Sequence, residues 1–410
     1  MIKAPRGTHD VLPDEQPLWR HVVRAAEDTC ALYGYRPILT PVFEETELFR
    51  RTAGAGSDVV QKEMYTFEDR GGRSLTLRPE GTAPIVRAYL EHGLHRAPQP
   101  QKLYTVAPMY RYAAPQKGRF REHWQVSVEA IGTDDPAIDA EVIQLYAELL
   151  RRLGVTEYRL ELNSIGDRKC RPAYVERLET WLDEHTDVLD AEAREKRATT
   201  PLRVFDVKSE RVRAALADAP KIGDSLCGEC RDHFAAVRAH LDAYGVPYVL
   251  DPALVRGLDY YTRTTWEFVG PEHGAQSTIS AGGRYDYLAE DVGGPPTPGV
   301  GFGAGVERLL IALEEARATQ VQAPSVEIFF ACDDDAPRAA VLQLMATLRR
   351  AGRSCETDYA GRSLKGQLTQ AGRVGALTTV VVGAQSATIR RYGAADETVP
   401  LERLEDRLSA

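Results

Sequence analysis

The 410-residue sequence has no apolar run approaching the roughly 18 residues that a membrane-spanning helix requires. Its opening, MIKAPRGTHDVLPDEQ, lacks the apolar stretch of a secretory signal. Six cysteines, mostly scattered, do not make a secreted disulfide framework. Positive charge is in deficit: the formal net charge of −9 argues against nonspecific DNA binding and leaves an RNA partner only a local basic patch. The plain reading is a reduced, cytoplasmic protein with neither membrane nor DNA as partner. Internal repeats and low-complexity segments are missing, and so is any Ser/His/Asp or Cys/His constellation. Two nucleotide signatures also fail. GVGFGA (299–304) has the glycine spacing of a dinucleotide-binding turn, but DVGGPPTP precedes it where a buried parallel strand is needed. GRSLKGQ (361–367) has P-loop glycines without the Lys and Ser/Thr that follow them. Any use of ATP must take another route.

What is present is long enough for two or three domains. Leu18, Val22, Ala26, Cys30 and Tyr33 recur at helical spacing, predicting an amphipathic helix over 14–33. PILTPVFE (37–44) follows as an extended segment bracketed by prolines, which places it at a sheet edge or end, where it could pair with another subunit. Strands are predicted at 74–78, 103–110, 124–131, 247–251, 254–268 and 276–281, with helices at about 136–153 and after 303. Charged helical sequence from about 168 to 240 reads as an insertion. The polar stretch EARATQVQAP (315–324) reads as a linker, dividing the chain into 1–323 and a small α/β unit at 324–410. That unit has strands in VEIFFAC and TTVVVG and helices near 336–351 and 362–373.

The chemistry-bearing residues are arginines and carboxylates. LVRGLDYYTRTTWE (254–267) is strand-like in its Tyr, Thr and Trp content, yet it crowds in Arg256, Asp259, Tyr260, Tyr261 and Arg263. LTLRPEGTAP (75–84) ends a strand at Arg78, Pro79 and Glu80. It is open to two readings, a helix capped by Thr82 with Glu80 solvated, or a site. The hairpin MYRYAAPQKGRFREHWQVSVEAIG (109–132) concentrates Arg111, Lys117, Arg119 and Arg121, forming either a solvated basic loop or a phosphate or RNA surface. Arg308 lies in the first turn of its helix, where a cation opposes the dipole. Either an anionic ligand explains it or it pairs with Glu307 or Glu314. Cys227 and Cys230, with His233 beyond and Cys170 in the same insertion, have metal-like spacing; one pair plus stragglers favours reduced structural thiols, so no metal is assigned. This inventory suits a reaction in which the substrate supplies the nucleophile and the protein stabilises phosphate charge.

In this combination the chain resembles the histidyl-tRNA synthetases, class II aminoacyl-tRNA synthetases, from Arg6-Gly7-Thr8 to the last domain. The first helix with PILTPVF is similar to motif one, the hairpin around Arg111 to motif two, and GFGAGVERL to motif three. LVRGLDYYTRTTWE and AGGRYD (281–286) resemble the two signature peptides particular to the histidine-specific family. The resemblance implies an α+β fold: an antiparallel six-stranded sheet with flanking helices, a helical insertion, and a C-terminal α/β anticodon-binding domain. It implies a homodimer, with ATP as substrate and Mg²⁺ as its companion. It also implies the reaction, in which histidine attacks the α-phosphate of ATP and the histidyl group then passes to the 3′ end of histidine tRNA.

Position by position, the resemblance gives Arg111 the α-phosphate and the substrate carboxylate, and Arg308 the γ-phosphate, with Arg119 also on ATP. Glu80, Gly81 and Thr82 meet the α-amino group beside Gln125, while Glu129, Tyr260, Tyr261 and Tyr285 surround the imidazole. Arg256 reaches the α-phosphate and supplies charge that a metal supplies in related synthetases. Gln116 and Lys117 face the acceptor end of the tRNA. One departure stands out: the family's Arg-x-Glu-Arg-Pro-Gln is here Arg111-Tyr112-Ala113-Ala114-Pro115-Gln116, and Glu122-His123-Trp124-Gln125 replaces the usual aromatic-His-Gln order. These changes touch ATP binding more than histidine binding. The alternative is the family's non-catalytic relative, the histidine-sensing regulatory subunit of ATP phosphoribosyltransferase. Residues 325–410 and the intact LVRGLDYY speak against it, and Ala113-Ala114 speaks for it.

Overall fold

A computed structural model describes residues 1–54, 57, 59–207, 209–271, 277–316, 326–333, 335–391 and 393–409. The chain forms two compact units, Met1–Val321 and Gln322–Ala410. The 323/324 division and most of the polar stretch 315–324 fall outside the described residues.

The first unit is built on six antiparallel strands. In spatial order they are Gln101–Tyr110, Glu122–Ile131, Gly299–Gly305, Thr278–Arg284, Thr262–Val269 and Arg159–Ser164. A two-residue parallel strand extends each edge, Arg36–Pro37 against Leu103–Tyr104 and Val249–Leu250 against Glu161–Leu162, so the sheet counts eight. Pro37 sits at the outer edge, where its missing N–H costs no ladder bond. A separate three-stranded sheet joins Phe43–Glu45, Ser74–Leu77 and Tyr65–Glu68.

One face of the large sheet carries the core. Val126, Val128 and Ala130 of one strand and Val300, Phe302 and Ala304 of its neighbour pack with Trp266 and Phe268 under two helices, Gln16–Leu32 and Pro136–Leu153. The second helix starts where Asp135 accepts from the Ala137 N–H at 2.9 Å, with Pro136 at its first position. It ends at Gly154, whose φ of 75° only glycine adopts freely. Because side chains alternate along a strand, Gln125, Ser127 and Glu129 emerge on the opposite face, opposite Gly301, Gly303 and Gly305 of the adjoining strand. That face is the floor of the site.

The predicted strand 254–268 is shorter than expected. Residues 254–261 form a loop and the strand is Thr262–Val269. Arg263 sits at φ 48° where the register slips against Gly283 and Arg284, and its N–H donates to the Gly166 carbonyl at 2.7 Å instead of to the ladder. This bulge carries Arg256, Tyr260 and Tyr261 out of the pleat and over the polar face. The insertion is helical as expected, with Arg171–Glu184, Ala191–Thr199, Glu210–Ala215 and Gly228–Tyr244.

In the second unit, Ile328–Cys332 lies between parallel strands Cys355–Thr357 and Thr378–Val382, with helices Arg338–Arg350 and Leu364–Arg373. A hairpin, Ser386–Arg391 and Glu397–Pro400, and a last helix, Leu404–Ser409, complete it.

Candidate active site

Glu80 is not solvated. Its carboxylate is buried and accepts from the backbone N–H groups of Thr82 at 2.6 Å and Ala83 at 2.9 Å, the first two positions of helix Thr82–Glu91. The helix's unpaired N–H groups and its dipole hold the carboxylate there, even as burial pushes its pKa up. Thr82 is thus freed from capping, and its hydroxyl donates to Glu129 Oε1 at 2.7 Å. Tyr285 donates to Glu129 Oε2 at 2.6 Å. Glu129 is fully buried, and desolvation pushes its pKa up to about 8 against the pull of those two hydrogen bonds, with Glu80 adding repulsion.

Room for the side chains of this floor comes from glycine. A Cβ on Gly301 would lie 1.9 Å from Glu129 Oε2, one on Gly303 2.8 Å from Gln125 Nε2, and one on Gly299 2.2 Å from the Tyr285 ring. Gly81 has the same role beside Ser127, whose hydroxyl accepts from Gln125 Nε2 at 2.9 Å. The wall opposite is aromatic: the Tyr260 and Tyr261 rings lie 4.6 Å apart, and Tyr260 meets Tyr285 edge-on at 6.0 Å. Carboxylate floor, hydroxyl donors and aromatic rings converge here, a chemistry suited to a planar group with N–H donors.

Four arginines line the site's flank. Arg111 is tied to the Pro79 carbonyl at 2.7 Å, near enough to Glu80 to pull its pKa down against burial and near enough to Arg308 and His123 to act on them as well. Arg119 pairs with Glu63 at 2.8 Å. Arg256 pairs with Glu267, whose other oxygen accepts from the Thr278 hydroxyl at 2.8 Å. Arg308 closes the chain of contacts by donating to the Thr278 carbonyl. Burial, with Arg119 beside it, lowers the Arg308 pKa, and the same cations with burial push His123 down to about 3, leaving it neutral. Pairing of Arg308 with Glu307 is ruled out by Glu307 itself, which accepts from the Trp124 N–H at 2.9 Å. A pocket lined by Lys117, Gly118, Thr278 and Arg308 and a cleft lined by Arg119, Arg203, Glu267 and Thr278 open beside these groups.

The basic hairpin loop is exposed, but its cations have partners. Arg121 stacks over Tyr112 at 3.7 Å, and Lys117 lies 3.6 Å from Glu315. Gln116 and Lys117 are exposed at its tip, and Ala113 is buried. His233 leaves the cysteine motif: its Nε2 contacts Asp139 at 3.3 Å, and Asp139 also holds Arg284, with both members of that pair buried. Sequence reasoning overlooked this triad and the roles of Glu267 and His123. Glu267 closes the same LVRGLDYYTRTTWE stretch, so a search for the partner of Arg256 within it would have found it.

The family model for histidyl-tRNA synthetase matches residues 7–309. The histidine--tRNA ligase of Halothermothrix orenii is 45% identical over 382 residues, covering 93% of this chain and 91% of that protein. That of Rubrobacter xylanophilus is 47% identical over 390 residues, covering 93% and 91%. Among solved structures, the apo S. aureus histidyl-tRNA synthetase is 37% identical, with TM-score 0.83 and complete coverage of both chains. An ATP phosphoribosyltransferase regulatory subunit/histidyl-tRNA synthetase from Bacillus halodurans is 23% identical with TM-score 0.64, covering 90% of this chain and 96% of that one, a likeness of fold alone. On the match across residues 7–309 and relatives of this identity along nine-tenths of its length, the chain belongs to the histidyl-tRNA synthetase family, a family of aminoacyl-tRNA ligases.

Proposed function

We propose that this protein is a histidine--tRNA ligase, activating histidine with ATP to histidyl-adenylate and transferring it to the 3′ end of histidine tRNA. The observation that carries the reading is Glu129, a fully buried carboxylate oriented by Thr82 and Tyr285 beside the Tyr260 and Tyr261 rings, with Arg111 next to the neighbouring Glu80. In this reading Glu129, Tyr260, Tyr261 and Tyr285 hold the imidazole. Glu80, Gly81, Thr82 and Gln125 receive the α-amino group, which finds a carboxylate already fixed by a helix N-terminus. Arg111 and Arg256 act at the histidine carboxylate and α-phosphate, and Arg119 and Arg308 take the outer phosphates. Arginines held by Glu63, Glu267 and Thr278 are preorganised for charge that develops in phosphoryl transfer.

Mg²⁺ enters with the nucleotide. Glu63 and Glu267, the carboxylates beside Arg119 and Arg256, would be the side chains to help hold it, and the metal would screen phosphate charge there. Gln116 and Lys117 meet the tRNA acceptor end, and residues 324–410 its anticodon. A homodimer is supported by Leu39, Val42 and Phe43, large apolar side chains left exposed beside the edge strand Arg36–Pro37. A cytoplasmic location accords with the reduced cysteines, and among the described residues no helix is long and apolar enough to cross a membrane.

The regulatory-subunit alternative is the weaker reading. Its support was Ala113-Ala114, yet the Ala113 side chain is buried, Arg111 beside it is tied to the Pro79 carbonyl, and relatives 45–47% identical along nine-tenths of the chain are histidine--tRNA ligases. Exchange of labelled pyrophosphate into ATP, tested with each amino acid and no tRNA, decides the matter. Exchange with histidine alone is expected; histidine binding without exchange would shift the assignment to the regulator.

A further inference from the structure

Away from the active site, the fold gathers four metal-ligating side chains from two distant segments. Asp167 and Cys170 come from the turn after strand Arg159–Ser164, and Cys227 and Cys230 from the start of helix Gly228–Tyr244. One ligand atom from each lies within 4.8 Å of all the others. The spacing is the same in both segments, two residues between the ligands, and Asp167 is the member that counting cysteines passes over.

We propose that Asp167, Cys170, Cys227 and Cys230 form a tetrahedral structural Zn²⁺ site. Zn–S bonds of about 2.3 Å put tetrahedral sulfurs roughly 3.8 Å apart. Cys170 Sγ and Cys230 Sγ already stand 3.9 Å apart, so these two need no rearrangement, whereas a disulfide would require them to close to about 2 Å. The turn is shaped around the cluster. Gly166, at φ 62°, leaves room for the Cys170 sulfur, which a Cβ there would approach to 2.7 Å. The Asp167 N–H points at Cys170 Sγ at 3.4 Å, and the N–H groups of Lys169 and Cys170 lie 2.9 and 3.4 Å from Asp167 Oδ1, fixing the carboxylate. Three thiolates and a carboxylate exceed the charge of the ion. Arg263 supplies a compensating cation 3.6 Å from Asp167 Oδ2, and the N-terminus of helix Gly228–Tyr244 lies under Cys227 and Cys230. Asp167, Cys170 and Cys230 are buried and Cys227 is partly exposed, a closed structural site with one thiol toward solvent for entry of the metal. Binding displaces the three thiol protons and joins the insertion to the turn whose Gly166 carbonyl accepts from Arg263.

The test is metal analysis of the full-length protein purified under reducing conditions without chelators, followed by Co²⁺ replacement. One zinc per chain is expected, and the Co²⁺ form should show the thiolate-to-metal charge-transfer band and the visible bands of tetrahedral cobalt. Cys227→Ser, which alters the most exposed ligand, should lose stoichiometric zinc and weaken the charge-transfer band. Zinc far below one per chain with no charge-transfer band from the wild-type protein on Co²⁺ titration would overturn the proposal. So would full zinc retention by both Cys227→Ser and Cys170→Ser, or a Cys170–Cys230 disulfide in the protein as isolated.

Discussion

Tyr285 and Glu129 meet at 2.6 Å in a space from which solvent is excluded, and a hydroxyl donor orients a carboxyl group whose pKa stands near 8. Thr82 donates to its other oxygen, and Glu80 is the nearby like charge. Near pH 7 the unliganded carboxyl therefore keeps its proton in most molecules. A ligand that donates an N–H to Glu129 needs the carboxylate, so histidine binding at that pH should release close to one proton, about half as much near pH 8, and little from about one pH unit higher. Calorimetry in buffers of different ionisation enthalpy measures this directly. The folded group holds a proton that the unfolded chain gives up at the ordinary carboxyl pKa, so the stability it contributes is complete below that value. That contribution is lost as pH rises toward about 8. Glu129→Gln should abolish the proton release and weaken histidine about ten- to hundredfold, the loss expected for a hydrogen bond to a charged group.

Gly301 bears on the same carboxylate from the neighbouring strand. Its absent side chain is the space that Glu129 Oε2 occupies, and the Val128 carbonyl would lie only 2.3 Å from an added Cβ. Gly301→Ala should therefore displace Glu129 and reduce histidine-dependent pyrophosphate exchange far more than Gly305→Ala, whose Cβ meets nothing nearer than Arg308 at 3.7 Å. Comparing KM for histidine with KM for ATP separates the two sites. A change confined to ATP would show that the glycine row shapes the nucleotide side instead.

Much of this site was legible along the chain because its determinants are local. Strand alternation over 124–131 places Gln125, Ser127 and Glu129 on one face, and the helix expected at about 136–153 forms as Pro136–Leu153. What was not legible depends on partners far apart in sequence or on backbone geometry. Strand-forming residues run through Tyr260–Trp266, yet the chain bulges at Arg263, whose N–H donates to the carbonyl of Gly166, about a hundred residues earlier. Glu80 reads as a surface residue until the helix and sheet close over it. Asp139 looks like one more polar residue of an amphipathic helix; its meaning is Arg284, 145 residues away.

Arg256 makes its ion pair with Glu267 and stacks near Tyr261, 5.6 Å from the ring centroid, and its Nε has no partner among the described residues. Removing the guanidinium leaves Glu267 the Thr278 hydroxyl at 2.8 Å, so the local structure retains an anchor. Arg256→Ala should lower histidine-dependent pyrophosphate exchange by about 10²–10³-fold, in line with loss of a preorganised group at developing charge. The melting temperature should move little. Single-turnover adenylate formation distinguishes a slowed chemical step from weakened histidine binding, and an unchanged rate would remove Arg256 from the chemistry.

Asp139 and Arg284 form the deepest ion pair described in the first unit, both fully buried, with Asp286 3.0 Å from Arg284 Nη1 and His233 3.3 Å from Asp139. Burial alone would raise the Asp139 pKa, but Arg284 and His233 outweigh it and hold the carboxyl ionised. Arg284 belongs to the AGGRYD peptide, yet its guanidinium is spent on Asp139, Asp286 and the Thr133 carbonyl, a structural role that fixes the strand end from which Tyr285 follows. Asp139→Asn leaves a buried guanidinium short of a counter-charge and should cost about 3–5 kcal/mol in denaturant unfolding. Because Asp286 remains, the strand end should keep its place in molecules that fold, and the KM for histidine of the folded fraction should change less than stability does. A loss of histidine affinity larger than the loss of stability would mean that the pair tunes the pocket itself.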